Sequence, residues 1–124
     1  MLKQSKAFSS FSVDDLQNAK KFYGDLLEIH VADNAMGLIE LHFGDANKTL
    51  IYPKPDHKPA TFTVLNFPVE NIEKTVDELT AKGLLFEQYE YLQTDAKGIS
   101  RNPDGPKVAW FKDPAGNILS VIEM

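Results

Sequence analysis

Residues 11–23 read FSVDDLQNAKKFY, a strand pattern running straight into a helix pattern. Phe11 and Val13 fall on one face of an extended segment while Ser10 and Ser12 fall on the other, the alternation of a half-buried strand. Asp14 and Asp15 then offer carboxylates suited to cap a helix. Leu16, Ala19, Phe22, Tyr23, Leu26 and Leu27 follow at steps of three and four, which predicts an amphipathic helix with Lys20, Lys21 and Asp25 turned away from its apolar side.

Downstream, Leu38 to Phe43 alternates again, with Ile39, Leu41 and Phe43 on one side and Leu38, Glu40 and His42 on the other. Gly44-Asp45-Ala46-Asn47 reads as a hairpin turn. Thr49 to Tyr52 reads as a short strand stopped by Pro53 and Pro55. Residues 53–60 hold three prolines and make the best linker in the chain. Beyond it the pattern restarts. Thr61 to Phe67 is strand-like, and Glu70-Asn71 opens a helix carrying Ile72, Val76 and Leu79, with Gly83 as its stop. Leu84 to Tyr91 reads as a strand and Gln93 to Pro106 as a long loop. Val108 to Phe111 and Ile118 to Ile122 form a closing hairpin around Asp113 to Asn117.

The two halves align when 56 is added to the residue number: Phe11 matches Phe67, Val13 matches Val69, and Leu16 matches Ile72. Such a repeat takes precedence over any element-by-element reading. The expected fold is α+β: two βαβββ modules whose curved mixed sheets enclose a cleft, with the helices on the outer faces. One domain over 1–124 is expected, with module one at about 1–55 and module two at about 60–124.

Bulk properties narrow the function. The formal charge is −5, and the 13 basic residues, with Arg101 the sole arginine, are scattered. Without a basic stripe to displace counterions, a nucleic-acid partner is not expected. The absence of cysteine excludes disulfides, zinc–thiolate sites and thiol nucleophiles. No apolar run reaches membrane-spanning length, and Met1 to Ser10 lacks the apolar core of a signal peptide, so a cytoplasmic protein that meets no membrane is the expectation.

The strand faces divide by composition. Phe11, Val13, Leu41, Phe43, Leu65, Phe67, Phe111, Leu119 and Val121 form an apolar set suited to packing under helices. Phe8, Ser10, Ser12, Glu40, His42, Ile51, Val64, Asn66, Trp110 and Ser120 form a mixed set. A solvated face would not carry Phe8, Val64 and Trp110, and a sealed core would not carry Glu40, His42 and Asn66. A mixed lining is what a ligand cleft requires.

These stretches resemble the vicinal-oxygen-chelate superfamily, which includes glyoxalases, bleomycin-resistance proteins and dioxygenases. The resemblance rests on Phe11 to Leu16 leading into Ala19 to Tyr23, on Phe67 to Ile72, and on Trp110 to Ile118, in this order across nearly the whole chain. It implies a divalent metal held by one His or Glu from each of four strands, polarising a substrate with neighbouring oxygens. Carried over one by one, the ligand positions fall on Phe8, five residues before Val13; on Val64, five before Val69; on Ser120, seven after Asp113; and near Ile51. None is His, Asp or Glu. The resemblance therefore implies the fold without the usual metal chemistry: no cofactor is expected and a divalent metal is disfavoured.

Other residues carry two readings each. Glu40 and His42 share a strand face, as an acid–base pair inside the cleft or as a polar pair on an exposed face; a metal held by these two alone would be poorly bound. Asn66 suits a ligand or a backbone partner. Trp110 suits stacking on a flat ligand or simple packing. Arg101 suits a bidentate clamp on a carboxylate or a solvated loop. Tyr89 and Tyr91 share a face near that loop, whereas His30, at the end of the first helix, and His57, in the linker, read as surface residues. No nucleotide-binding glycine pattern or hydrolase elbow occurs.

Three functions compete. The first is a small-molecule-binding protein that holds an apolar or aromatic ligand among Phe8, Ser10, Glu40, His42, Ile51, Val64, Asn66, Arg101, Trp110 and Ser120. The second is a lyase, isomerase or dioxygenase-like enzyme, metal-free or with a displaced site at Glu40 and His42. The third is a structural domain with a filled cleft. The resemblance also implies a homodimer, and exposed sheet edges suit one.

Overall fold

Ser9–Val13, the first strand the alternation points to, is β1 of a four-stranded sheet in a computed structural model that describes residues 1–44 and 46–124. The turn expected over Gly44 to Asn47 includes Asp45, which lies outside the described residues. The chain divides into two compact units, Met1–Lys58 and Pro59–Met124.

In the first unit, β1 leads into α1 (Leu16–Lys20), which widens without a break into a π-helical stretch, Lys21–Leu26. β2 (His30–Asn34), β3 (Leu38–Phe43) and β4 (Asn47–Pro53) follow. The sheet order is β1-β4-β3-β2, with β1 parallel to β4 and the other neighbours antiparallel. The Asp15 carboxylate accepts the backbone N–H of Asn18 at 3.1 Å and so caps α1. The wide turn carries its backbone bond from Leu27 N–H to the Phe22 carbonyl. Tyr23, fully buried, is turned onto Phe11, with ring centroids 6.2 Å apart. Residues paired across neighbouring strands share a sheet face, so the register lines up Phe11, Ile51 and Ile39 in one row beneath the helix and Thr49, Leu41 and Val31 in the next. Burying such an aliphatic side chain contributes about 1.5–3 kcal/mol.

The second unit repeats the topology. β5 (Thr63–Pro68) and α2 (Ile72–Ala81) are followed by β6 (Ile99–Arg101), β7 (Lys107–Lys112) and β8 (Ile118–Glu123), in the order β5-β8-β7-β6. Asn71 caps α2 by accepting from Lys74 N–H at 3.1 Å, and Gly83, with φ +99°, ends it. Leu65, Leu119 and Phe111 form one core row; Phe67, Val121, Ala109 and Ile99 form the next. Ile72 and Val76 of α2 are buried with them. The closing turn is held by Asp113, whose carboxylate accepts Ala115 N–H, Asn117 N–H and the Asn117 side-chain amide at 2.9–3.0 Å.

Three expectations are corrected. His30 is not the end of a helix but the first residue of β2. Leu84 to Tyr91 is not a strand: it makes a single bridge, Phe86 to Phe111, and ends in a 3-10 turn at Glu90–Leu92. The outer strand of that sheet, β6, lies instead inside the segment read as a loop. The cause is local. The Asp95 carboxylate accepts N–H groups of Lys97 and Ile99 at 2.9 and 3.0 Å. Gly98, at φ +87°, sits where a Cβ would come within 2.9 Å of Phe86 Cβ. That tight turn delivers Ile99 into the core, where it is fully buried.

Candidate functional site

Each sheet has one face under its helix and one that its helix leaves open. In the first unit the register sets Ser10, Leu50, Glu40 and Ala32 in one row of the open face and Lys48, His42 and His30 in the next. Ile51, grouped with Glu40 and His42 in the sequence, belongs to the helix-covered face and has 0% exposure. β4 is apolar on both sides, so alternation could not orient it; Leu50 and Tyr52 are its open-face residues. Phe8 precedes β1, is 54% exposed, and lies under the Lys48 ammonium, with Nζ 5.5 Å from the ring centre.

Glu40 and His42 are brought together. Glu40 Oε1 is 2.9 Å from His42 Nε2, while Oε2 accepts the Asn34 side-chain amide at 2.8 Å. Asn34 is itself fixed, because its Oδ1 accepts Met36 N–H at 2.8 Å. The Asn34 bond is the main reason the Glu40 carboxyl titrates below its ordinary value, with Lys48 and His42 adding to it against a smaller cost of burial. Asn34 was not legible as a site residue, because β2 itself was not. His57 is tied to β1 through a 2.7 Å bond between Nδ1 and Ser12 Oγ.

The open face of the second unit is aromatic. Asn66, Ser120 and Trp110 form one row. The buried Ser120 hydroxyl donates to Asn66 Oδ1 at 2.5 Å. The Trp110 indole N–H donates to Thr63 Oγ1 at 3.2 Å, and Tyr89 meets Trp110 edge-on, with centroids 5.7 Å apart at 76°. Tyr91 continues the aromatic group beside Tyr89. Burial, then the Glu87 carboxylate, pushes the Tyr89 phenol up. The β5–β8 register shifts between Thr63 and Leu65, leaving Val64 without a partner on β8. Thr63, not Val64, therefore occupies the sheet position that corresponds to Phe8.

Arg101 lies elsewhere. Paired in register with Lys107, it is on the helix side of the second sheet, where its guanidinium bonds Glu73 in the first turn of α2 and Asp95. Burial raises the Asp95 carboxyl, but the N–H groups of Ile99 and Lys97, together with Arg101, outweigh it and leave the group below its ordinary value. Arg101 thus ties β6 to α2 and is remote from Asn66, Ser120 and Trp110 on the other face.

The donor chemistry does not fit the four-ligand metal centre that the resemblance implies. Phe8, Val64 and Ile51 carry no lone pair. The residues that the register puts in place of the last two are Thr63, whose hydroxyl accepts from the indole, and Leu50. The Ser120 hydroxyl is committed to Asn66. Among the described residues no three His, Cys, Asp or Glu side chains cluster to hold a metal. Nor, among them, is any helix long and apolar enough to cross a membrane.

The topology and the sequence agree on a class: a paired-βαβββ protein. A profile of the Glyoxalase/Bleomycin resistance protein/Dioxygenase superfamily matches residues 8–121, and the chain belongs to that superfamily. Among solved structures it is similar to a glyoxalase family protein from Enterococcus faecalis, at 24% identity over 99% of this chain and 100% of that one, with a TM-score of 0.70. A lactoylglutathione lyase from Agrobacterium tumefaciens is 23% identical, with 98% and 96% of the chains covered and a TM-score of 0.62. An antibiotic-binding protein from a Streptomyces species is 19% identical, with 94% of each chain covered and a TM-score of 0.69. At these identities the likeness is one of fold, and the neighbours include both an enzyme and a binding protein. No curated protein sequence matches the chain.

Proposed function

We propose that the protein is a non-catalytic binder of a flat apolar or aromatic small molecule, working without the metal its enzymatic relatives use, as a cytoplasmic homodimer. One observation carries the reading: side chains at the metal-ligand positions are hydrocarbons or hydroxyls already bonded within the protein. The Trp110–Tyr89–Tyr91 group supports the ligand class, since it offers ring faces and edges with Asn66 and Thr63 beside them to fix orientation.

Trp110 is the only tryptophan, so its fluorescence reports on this face directly. Titrating planar aromatic compounds should give saturable quenching with the compound recovered unchanged. Trp110→Ala should weaken binding, followed by calorimetry, by at least about tenfold, in line with a buried aromatic anchor, and Trp110→Phe should restore most of it. Turnover of any bound compound that disappears in Glu40→Gln would replace this reading with the enzymatic one, for which the Asn34–Glu40–His42 hydrogen-bond chain is the supporting observation. Light scattering on the purified protein checks the dimer.

A further inference from the structure

We propose that His30 and His42 form a surface site for a borderline divalent cation such as zinc, nickel or copper(II), separate from the positions at which enzymes of the superfamily hold their metal.

The two residues face each other directly across the antiparallel β2–β3 pair. Their ring centroids are 5.3 Å apart and the planes differ by 34°. Two imidazoles sharing one tetrahedral zinc at about 2.0–2.1 Å per Zn–N bond place their ring centres roughly 5 Å apart. The rings thus already stand at the separation that chelation requires.

The surroundings prepare one ring electronically. Glu40 accepts the Nε2–H of His42, which leaves the lone pair of the neutral ring on Nδ1. Carboxylate–histidine–metal arrangements work in this way: the outer carboxylate fixes the tautomer and raises the basicity of the ligating nitrogen. Glu40 is in turn held by Asn34, and Asn34 by the Met36 backbone, so the chain of orientation runs three residues deep. His42 keeps 36% of its side chain accessible, and His30 is exposed on the outermost strand of the sheet. Water completes the coordination there. Imidazole donors select zinc, nickel and copper over magnesium and calcium. Two protein donors make an exchangeable site, weaker than a closed four-ligand one, and Lys48, paired in register with His42, weakens it further.

Calorimetric titration of untagged full-length protein with zinc chloride tests this. The expected result is one equivalent of zinc bound, with magnesium chloride giving no signal. His30→Ala and His42→Ala should each weaken binding at least about tenfold, and Glu40→Gln about 10–100-fold, the range for loss of an outer-shell partner. His57→Ala removes the remaining histidine and should bind zinc as the unaltered protein does. Circular dichroism on each variant separates lost ligation from lost fold. No saturable zinc binding, or binding that survives in the His30→Ala/His42→Ala double variant, overturns the proposal. Absence of binding leaves that reading standing.

Discussion

Adding 70 to residue numbers in the last two strands of the first unit gives their counterparts in the second, since Glu40 pairs with Leu50 as Trp110 pairs with Ser120. Beneath the helices the correspondence is mostly conservative in chemistry: Leu41 answers to Phe111, Ile51 to Val121 and Ile39 to Ala109, all buried, while the buried Thr49 answers to Leu119 and departs from it. On the open faces it is not. Glu40 becomes Trp110, Leu50 becomes Ser120 and Lys48 becomes Ile118. Packing under a helix favours apolar side chains of suitable volume, whereas the open face is released from that demand and can specialise. One copy has become ionic and imidazole-bearing, the other aromatic.

The comparison can be broken at the core first. Leu41→Ala should cost about 2–5 kcal/mol and Phe111→Ala about 3–5 kcal/mol, the range for emptied core sites. Urea melts that gave one of them a cost below about 1 kcal/mol would end the equivalence of the two rows. Next in size is Asp113→Ala, which strips three acceptor contacts from a buried turn and should cost about 1–3 kcal/mol. Ser120→Ala should cost about 0.5–1.5 kcal/mol, because Asn66 is exposed and water can replace the lost hydroxyl.

Glu40→Gln should sharpen the contrast through pH. The folded protein holds this carboxyl below its ordinary range, first through Asn34. Its contribution is therefore complete above the unfolded value and vanishes as pH falls through the folded one. Thermal melts of the two proteins should differ at neutral pH and converge in acid; a difference that grew on acidification would contradict the assignment. The smallest effect expected is that of Arg101→Gln, a slight fall in melting temperature that added salt reduces further, because the Glu73 and Asp95 pairs are exposed.

What could be seen in the sequence followed the strength of its periodicity. β1, α2, β7 and β8 combine clear alternation or helical spacing with caps at Asp15 and Asn71, and each lies where those signals put it. β2 was hidden because HVADN holds a single large aliphatic residue, as suits an edge strand. β6 was hidden because it is three residues long and is created by the Asp95–Gly98 turn rather than by its own composition. Leu84 to Tyr91 misled in the opposite sense: it is apolar enough for a strand, yet Leu85 is 81% exposed and its backbone is barely paired. Of the candidate site, Glu40 with His42 and Asn66 with Ser120 and Trp110 were brought together on their respective faces, while Ile51 and Arg101 went to the helix sides.

The extra residue in β5 carries a lesson for anyone redesigning this molecule. Counting letters back from Val69 lands on Val64, but the ladder with β8 has slipped by one there, so the lattice site belongs to Thr63. By strand register, an engineer placing imidazoles or carboxylates at the positions the resemblance implies would edit 8 and 50 in the first unit and 63 and 120 in the second, and a scheme drawn from an ungapped alignment would put two of its four groups in the wrong phase.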